Sequence, residues 1–265
     1  MPVRDSLLIR NKRKDFLYER AFGAVSYAQP QPLGRLAKVL ASPLAQHPIF
    51  QSSIPSCFPC AASFTNQYNS WFKSNNDVAL SWPFLFAQIP HFSGGSVPQD
   101  SLDILRSVGQ PEDKQLPQAK FWDQPFWAEN ENILTSETYI GAEGFKISNY
   151  FFFKKPTLQS IFAALTEDPI IIGVKVDPGE WAENTVIPPA SSGFAHAVVL
   201  LDVDAQGNML VCSWDKRDKL DIRILHPETK LLMACVIRDL PDGLTKKDVQ
   251  RGFWFQNFFK KLLSR

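Results

Sequence analysis

The sequence has few cysteines, four in 265 residues, and it has no long apolar run. A chain of this size does not need disulfides to stabilise its core, so sparse thiols indicate chemistry or packing. No stretch approaches the roughly 18 apolar residues of a membrane span. Near the start residues 7–9 are the apolar row before charges return, which is short of the about 7–15 residues of a secretory signal. We therefore expect no transmembrane segment, no signal peptide and cytoplasmic residence by default, with signal-less export or incorporation into a particle left open.

An excess of charge of one sign is also missing. Twenty-eight basic residues face 27 acidic ones, so the formal net charge is +1. No overall field attracts nucleic acid, and no nucleic-acid partner is expected. Apolar residues make up 45% and charged residues 21%, which is ordinary for a globular protein. The 21 Phe and 20 Pro residues favour an aromatic core crossed by many irregular connections.

The chain divides into three parts by composition. Residues 1–49 form an N-terminal arm that begins with a basic stretch, and residues 50–245 form one domain. Residues 246–265 are aromatic and basic, and their spacing predicts a C-terminal helix. This helix either docks on the domain or contacts a partner or a membrane surface.

Within the central part, helical patterns come first and strand patterns follow. Phe64 and Tyr68 lie at helical spacing in a segment predicted to form a buried helix that starts at Cys60. Residues 169–176 read as a buried strand, and residues 195–215 read as a hairpin with its turn at AQGN. Helices followed by strands predict an α+β fold.

Cys60 and His196 form the strongest chemical constellation in the sequence. Cys60 follows Pro59, and at the first residue of a helix the unpaired N–H groups and the helix dipole favour a thiolate. His196 stands at the head of an apolar strand and follows small residues that leave space for a substrate. A histidine beside a thiol acts as base and later protonates the leaving group. His47, His91 and His226 lie in proline-containing loops or at a strand end.

Two other uses of these thiols remain open. Cys57 and Cys60 could form a redox pair, although the surrounding elements do not resemble the βαβ scaffold of such proteins. Cys60, His196 and Cys212 could instead bind zinc, because all three side chains are zinc ligands in other proteins.

The segment SCFPCAASF resembles the nucleophile segment of the papain-like cysteine peptidases, Cys-Gly-Ser-Cys-Trp-Ala-Phe. In that family the histidine lies roughly 130–150 residues downstream, and here 196 − 60 gives 136. Further similar segments follow in the family's order over about residues 50–215: ALSWPFLFAQI, SGGS, TLQSIFAALTEDPIIIGVKV, HAVVLLDVD and CSWD.

The resemblance implies a two-lobed fold, with a helical left lobe, an antiparallel β right lobe and the active-site cleft between them. It implies a thiol hydrolase, most simply a cysteine peptidase, in which Cys60 forms an acyl-enzyme and His196 is the base. Gly94 and Gly95 match glycines that let a peptide backbone approach, and Trp214 matches the tryptophan that shields the histidine. A polypeptide substrate and no cofactor are therefore expected.

Two departures concern the groups that assist the thiol. Cys212 stands where the family has the asparagine that orients the histidine, and a thiol is a poor acceptor. Ile54 stands at the oxyanion glutamine, six residues before Cys60, while Gln51 lies three residues further back. Asp215 could orient the histidine if the hairpin register shifts.

The alternative to a hydrolase is a catalytically weak or inactive papain-fold protein that acts as a structural or binding component of an assembly.

Two smaller departures lie close to the same motif. Ala61 replaces the tryptophan that usually follows the nucleophile. Cys57 matches a disulfide cysteine of the family, but its partner region holds Ser93. We therefore expect Cys57 to be a packed thiol.

Overall fold

The computed structural model describes residues 30–51, 53–89, 96–121 and 133–238. Helices occupy the first half of this part and strands dominate the second. The α-helices are α1 Arg35–Leu40, α2 Cys57–Ser74, α3 Trp82–Ala87, α4 Pro98–Ser107, α5 Ser136–Ala142, α6 Leu158–Leu165 and α7 Pro178–Glu183. Short 3₁₀ turns lie at Pro43–Gln46, Gln118–Phe121 and Glu143–Phe145.

Seven strands form one sheet whose spatial order is β1-β7-β2-β4-β5-β6-β3. All described neighbours are antiparallel except β3 and β6, which are parallel. The strands are β1 Tyr150–Phe152, β2 Ile170–Val176, β3 Val186–Ile187, β4 Phe194–Val203, β5 Met209–Ser213, β6 Asp221–Leu225 and β7 Leu231–Ile237. The α+β architecture predicted from the sequence is confirmed.

The sheet separates two apolar clusters. The first contains α2 and the helices around it, together with Ala197, Val199 and Leu201 of β4. The second lies on the other face, where Val198 and Leu200 of β4 pack with residues of α6 and β2. Successive strand residues point to opposite faces, so β4 is apolar throughout because both of its faces are covered.

Helix α2 is the central element of the first cluster. It packs against β4, and the ring of Phe64 lies 5.8 Å from that of Trp214, just beyond β5. Arg35 of α1 is buried and donates hydrogen bonds to Tyr68 of α2 and to the Leu201 carbonyl of β4. These contacts fix α2 over the strand that carries His196.

Several local predictions can be compared with these elements. The strand at 169–176 and the hairpin are confirmed as β2 and β4–β5. Within the part of the chain that the structure describes, no helix has both the length and the apolar character needed to cross a membrane. Residues 30–49, assigned to the arm, include α1 packed on β4. The predicted C-terminal helix at 246–265 lies outside the described residues.

Candidate active site

The first turn of α2 lies three residues earlier than the sequence predicted. The helix begins at Cys57, with Ser56 as its N-cap, and not at Cys60. Pro59 suggested a start directly after it, but proline is tolerated inside a first turn because the N–H it lacks would have no helical acceptor. The backbone N–H of Cys60 donates to the Ser56 carbonyl over 2.9 Å. That N–H is therefore used by the helix.

The Cys60 thiol lies in an apolar environment. The residue has no exposed surface and belongs to the first apolar cluster. Its Sγ lies 3.6 Å from Ser56 Oγ. Burial raises the pKa of the Cys60 thiol well above its usual value, although the Ser56 hydroxyl opposes this rise. In this arrangement Cys60 is a neutral thiol near pH 7.

His196 is hydrogen-bonded through one of its two ring nitrogens. It is 2% exposed, and its Nε2 lies 3.0 Å from Ser213 Oγ on the neighbouring strand β5. The ring of Trp181 stands edge-on at 4.8 Å between centroids, and that of Phe194 at 5.9 Å. Its Nδ1 is buried and has no hydrogen-bond partner among the residues that the structure describes. The described contacts of the ring nitrogens therefore involve Nε2 alone.

The Ser213 hydroxyl indicates which nitrogen of His196 carries the proton. Ser213 Oγ donates to Asp215 Oδ2 over 3.4 Å, and Trp181 Nε1 donates to the same carboxylate oxygen over 2.8 Å. Because a hydroxyl has one proton, Ser213 Oγ then accepts from Nε2–H of His196. The arrangement assigns the neutral tautomer with its lone pair on Nδ1.

Burial also sets the charge of His196. It lowers the pKa of the imidazole from 6.5 to about 4, while the carboxylates of Asp215 and Asp221 raise the pKa and Arg223 lowers it. The ring is therefore neutral at pH 7. It can accept a proton from a thiol, but it does not hold a thiolate as a preformed ion pair.

A buried charge cluster supports this end of the sheet. Asp221 Oδ1 lies 2.9 Å from Arg223 Nε and 3.0 Å from Lys216 Nζ, and the Asp221 side chain has no exposed surface. The contact with Arg223 is an ion pair without hydrogen-bond alignment, because neither of its two atoms has a hydrogen-bond partner. Arg223 also donates to the carbonyls of Trp181 and Asn184 over 3.1 and 2.6 Å. This fixes the backbone that presents Trp181 to the histidine.

The structure does not bring Cys212 to the imidazole. Val199 and Cys212 are paired across β4 and β5 and share one face of the sheet. His196 is three residues from Val199, and Ser213 is one residue from Cys212, so both lie on the other face. Burial raises the pKa of the Cys212 thiol well above its usual value.

The zinc hypothesis fails for the same geometric reason. Cys212 lies on the face of the sheet opposite His196, so the three proposed ligands do not converge on one point. Among the described residues, no group of three histidine, cysteine or acidic side chains could hold a metal ion.

The loop before α2 is tied to the end of the histidine hairpin. The Gln51 backbone N–H donates to the Trp214 carbonyl over 2.9 Å, and its side-chain Nε2 donates to the Ile54 carbonyl over 2.7 Å. Gln51 Oε1 is buried, and no described residue hydrogen-bonds to it. Ile54 is 4% exposed and packs in the first apolar cluster.

Trp214 lies beside the histidine strand. Its indole Nε1 donates to the Ala197 carbonyl over 2.8 Å. Gly94 and Gly95 lie outside the described residues, as do His91 and Ser93. None of the four cysteines, all of them within the described part, forms a disulfide.

Ser213 and Trp181 contact His196 and were missed in the sequence. The signal for Ser213 is weak but present: a residue next to Cys212 on a strand points to the opposite face, and a serine there is polar on an otherwise apolar arm. Trp181 gives no such signal. Trp181 lies on α7, fifteen residues before His196 in the chain, and its ring contacts the imidazole.

Solved structures similar to this chain are cysteine proteases. Xylellain, a cysteine protease from Xylella fastidiosa, has a TM-score of 0.66 and 17% identity, covering 91% of this chain and 98% of its own. Procathepsin B S9 from Trypanosoma congolense has a TM-score of 0.64 and 11% identity, with 88% and 85% covered. The protease and lectin-like domains of Cwp84 from Clostridium difficile have a TM-score of 0.61 and 14% identity, with 83% and 54% covered.

These similarities define the fold class of the molecule. No protein-family model and no curated protein sequence matches the chain. The chain has a papain-like fold, as the sequence motifs predicted, in which helix α2 packs against the histidine-bearing strand β4.

Proposed function

We propose that this protein is a thiol hydrolase that cleaves amide bonds in polypeptides through an acyl-enzyme. The observation that carries the proposal is the state of His196, whose Nε2 faces Ser213 at 3.0 Å while its Nδ1 has no partner within the described part of the chain. A neutral, oriented imidazole with one nitrogen left over is what a general base requires. The second element is α2, which carries Cys60 and packs against β4 through the first apolar cluster. The His196 ring projects from the other face of β4, so in this proposal the thiol and the base meet around the end of the strand, where the Asp215 carboxylate raises the pKa of both groups.

The reaction follows from these groups. A thiol of the first turn of α2 attacks the scissile carbonyl carbon, and its proton goes to His196 Nδ1. The resulting imidazolium gives that proton to the amine as the C–N bond breaks, leaving a thioester. Water, activated by the same nitrogen, then releases the acid and restores the thiol. The sequence predicts Cys60 as this thiol.

Stabilisation of the oxyanion has two candidate sources. One is the amide group of Gln51, which the loop holds beside Trp214. The other is the set of backbone N–H groups in the first turn of α2, for which a helix provides no acceptors. The N–H of Cys60 is not among them, since it donates to the Ser56 carbonyl.

A second function, binding without turnover, is favoured by one observation. The Cys60 thiol is neutral, has no exposed surface, and makes its described side-chain hydrogen bond with Ser56. A papain-fold protein with such a thiol could act as a structural or binding component for a protein partner.

The two functions are separated by assaying hydrolysis of a mixed fluorogenic peptide library near pH 7. We expect turnover that iodoacetamide abolishes and that His196→Gln lowers by about 10²–10⁴-fold, the usual contribution of a general base. The matched control is His226→Gln, because His226 is half-exposed in a turn away from the site. Turnover that survives iodoacetamide would refute the hydrolase proposal, and absent turnover with retained binding of library peptides would favour the second function.

A further inference from the structure

The first turn of α2 carries two thiols three residues apart, at Cys57 and Cys60. Both residues have no exposed surface, so burial does not distinguish them. Their positions in the helix do distinguish them. Cys57 is the first helical residue, whereas Cys60 is the fourth and its N–H is already bonded within the turn.

The electrostatic benefit of a helix start falls on the first residue. α2 has 18 residues, and the partial positive charge of its dipole is concentrated on the N–H groups of the first turn. Within the helix there is no acceptor for the N–H groups of residues 57 and 58, and Pro59 has none to donate. A charge that develops beside Cys57 therefore meets donors that the helix does not use.

Cys57 lies on the face of α2 that is turned towards the sheet. Residues 57, 60, 61 and 64 follow helical spacing and share one face. Phe64 on that face contacts the ring of Trp214, and the whole face belongs to the first apolar cluster. Cys60 lies one turn deeper in this face, so Cys57 is the thiol closer to the helix end.

The preceding loop brings a side-chain amide to the same end. Gln51 is 8% exposed, is bonded to Trp214 through its backbone, and lies six residues before Cys57. Trp214 directly follows Ser213, the residue that holds His196. The loop therefore links the start of α2 to the strand end that orients the base.

We infer that Cys57, rather than Cys60, is the thiol that attacks the carbonyl carbon, an inference that rests on the proposed function. The Cys57 Sγ–C bond forms while the thiol proton passes to His196, and the amide C–N bond breaks as that proton reaches the amine. Gln51, with its side-chain amide six residues before the nucleophile, then replaces Ile54 as the oxyanion candidate. Phe58 becomes the aromatic residue that follows the nucleophile, and 196 − 57 gives 139 residues to the histidine.

The test is competitive alkylation of the folded wild-type protein with limiting iodoacetamide, followed by peptide mapping. Trypsin leaves both thiols in the peptide of residues 39–73, which has no internal lysine or arginine. Fragment ions that separate Phe58 from Pro59 then place the label. We expect Cys57 to react about tenfold faster than Cys60, Cys212 and Cys235, because all four thiols are buried but only Cys57 lies at the helix start, where unused N–H groups stabilise a thiolate.

Variants sharpen the same experiment. Cys57→Ser should remove both the fast label and peptide hydrolysis, and Cys57→Ala repeats the test in case the serine variant does not fold. Cys60→Ser should keep the fast label on Cys57. Cys235→Ser, in strand β7, is the matched control for both labelling and turnover.

The outcomes separate this inference from the proposed function. A fast label on Cys60 that persists in Cys57→Ser would overturn the assignment and leave the hydrolase proposal standing. Equal, slow labelling of all four thiols, with no turnover, would overturn both.

Discussion

The two sides of the candidate site are built in different ways. On the histidine side, Ser213, Asp215 and Trp181 form a hydrogen-bonded chain that ends at the imidazole, with the Asp221–Arg223 pair beneath it. The thiol side has apolar neighbours, the Ser56 hydroxyl and the start of a helix. Under the proposed function, the sheet side orients the group that accepts the proton, while the thiol depends on the helix end for activation.

The largest expected effect concerns the charge pair under the histidine side. Asp221→Ala removes the nearer carboxylate from Arg223, whose side chain is 8% exposed, and among the described carboxylates leaves it only Asp215 at 3.9 Å. Removing one partner of a buried pair costs about 3–5 kcal/mol. We expect a loss of that size in the free energy of unfolding, measured by urea denaturation. Asp218→Ala, outside the described ion pairs, is the matched control, and equal stability of the two variants would contradict this account of the sheet end.

The pH dependence of stability tests the charge state of His196. Its pKa in the folded protein is about 4, against 6.5 ordinarily. Between these values the unfolded chain binds more protons, so the stabilisation is fully present above about pH 6.5 and is lost as the pH falls towards 4. The total is about 3 kcal/mol.

Denaturation of wild type and His196→Gln across pH 4–7 measures this contribution. The difference between the two proteins should change by that amount across the range, because the glutamine does not titrate. His226→Gln is the matched control, because it removes a half-exposed histidine and leaves His196 in place. A wild-type profile parallel to that of His196→Gln would show that the imidazole is not buried in its neutral form.

The sequence predicts the histidine side and the thiol side of the site to different extents. The apolar runs of β2 and β4 identified the sheet, and the small residues before His196 placed it at a strand head. The helix start was misplaced because Pro59 marks a first turn without saying which position in it the proline occupies. Ser213 was missed because a bulge between Leu200 and Asp202 sets the hairpin register, and pairing of this kind is not encoded in any single motif.

A smaller effect is expected from the hydroxyl that holds the base. Ser213→Ala leaves the buried Nε2–H of His196 without an acceptor, which costs about 1–3 kcal/mol. Turnover should fall with stability, because the tautomer is no longer fixed. Ser213→Thr keeps the hydroxyl and should restore both. If Ser213→Ala changed stability while the pH profile of turnover stayed the same, Ser213 would be structural only.

The smallest effect is expected from Asp215, whose side chain is 41% exposed. Asp215→Asn keeps an oxygen for Trp181 but removes a charge that raises the pKa of His196. Stability should change by no more than about 0.5 kcal/mol. The His196 pKa, followed by NMR, should move below its wild-type value. An increase in that pKa would contradict the electrostatic role given to this carboxylate.

The central claim is that His196 is a neutral base held through Nε2 with Nδ1 left for the thiol. Nitrogen-15 NMR of the imidazole measures this directly, because the two ring nitrogens differ in shift when only one is protonated. We expect a protonated Nε2 and an unprotonated Nδ1 from pH 5 to 8, with a pKa near 4. A pKa at or above 6.5, or a proton on Nδ1 in the neutral ring, would contradict the account.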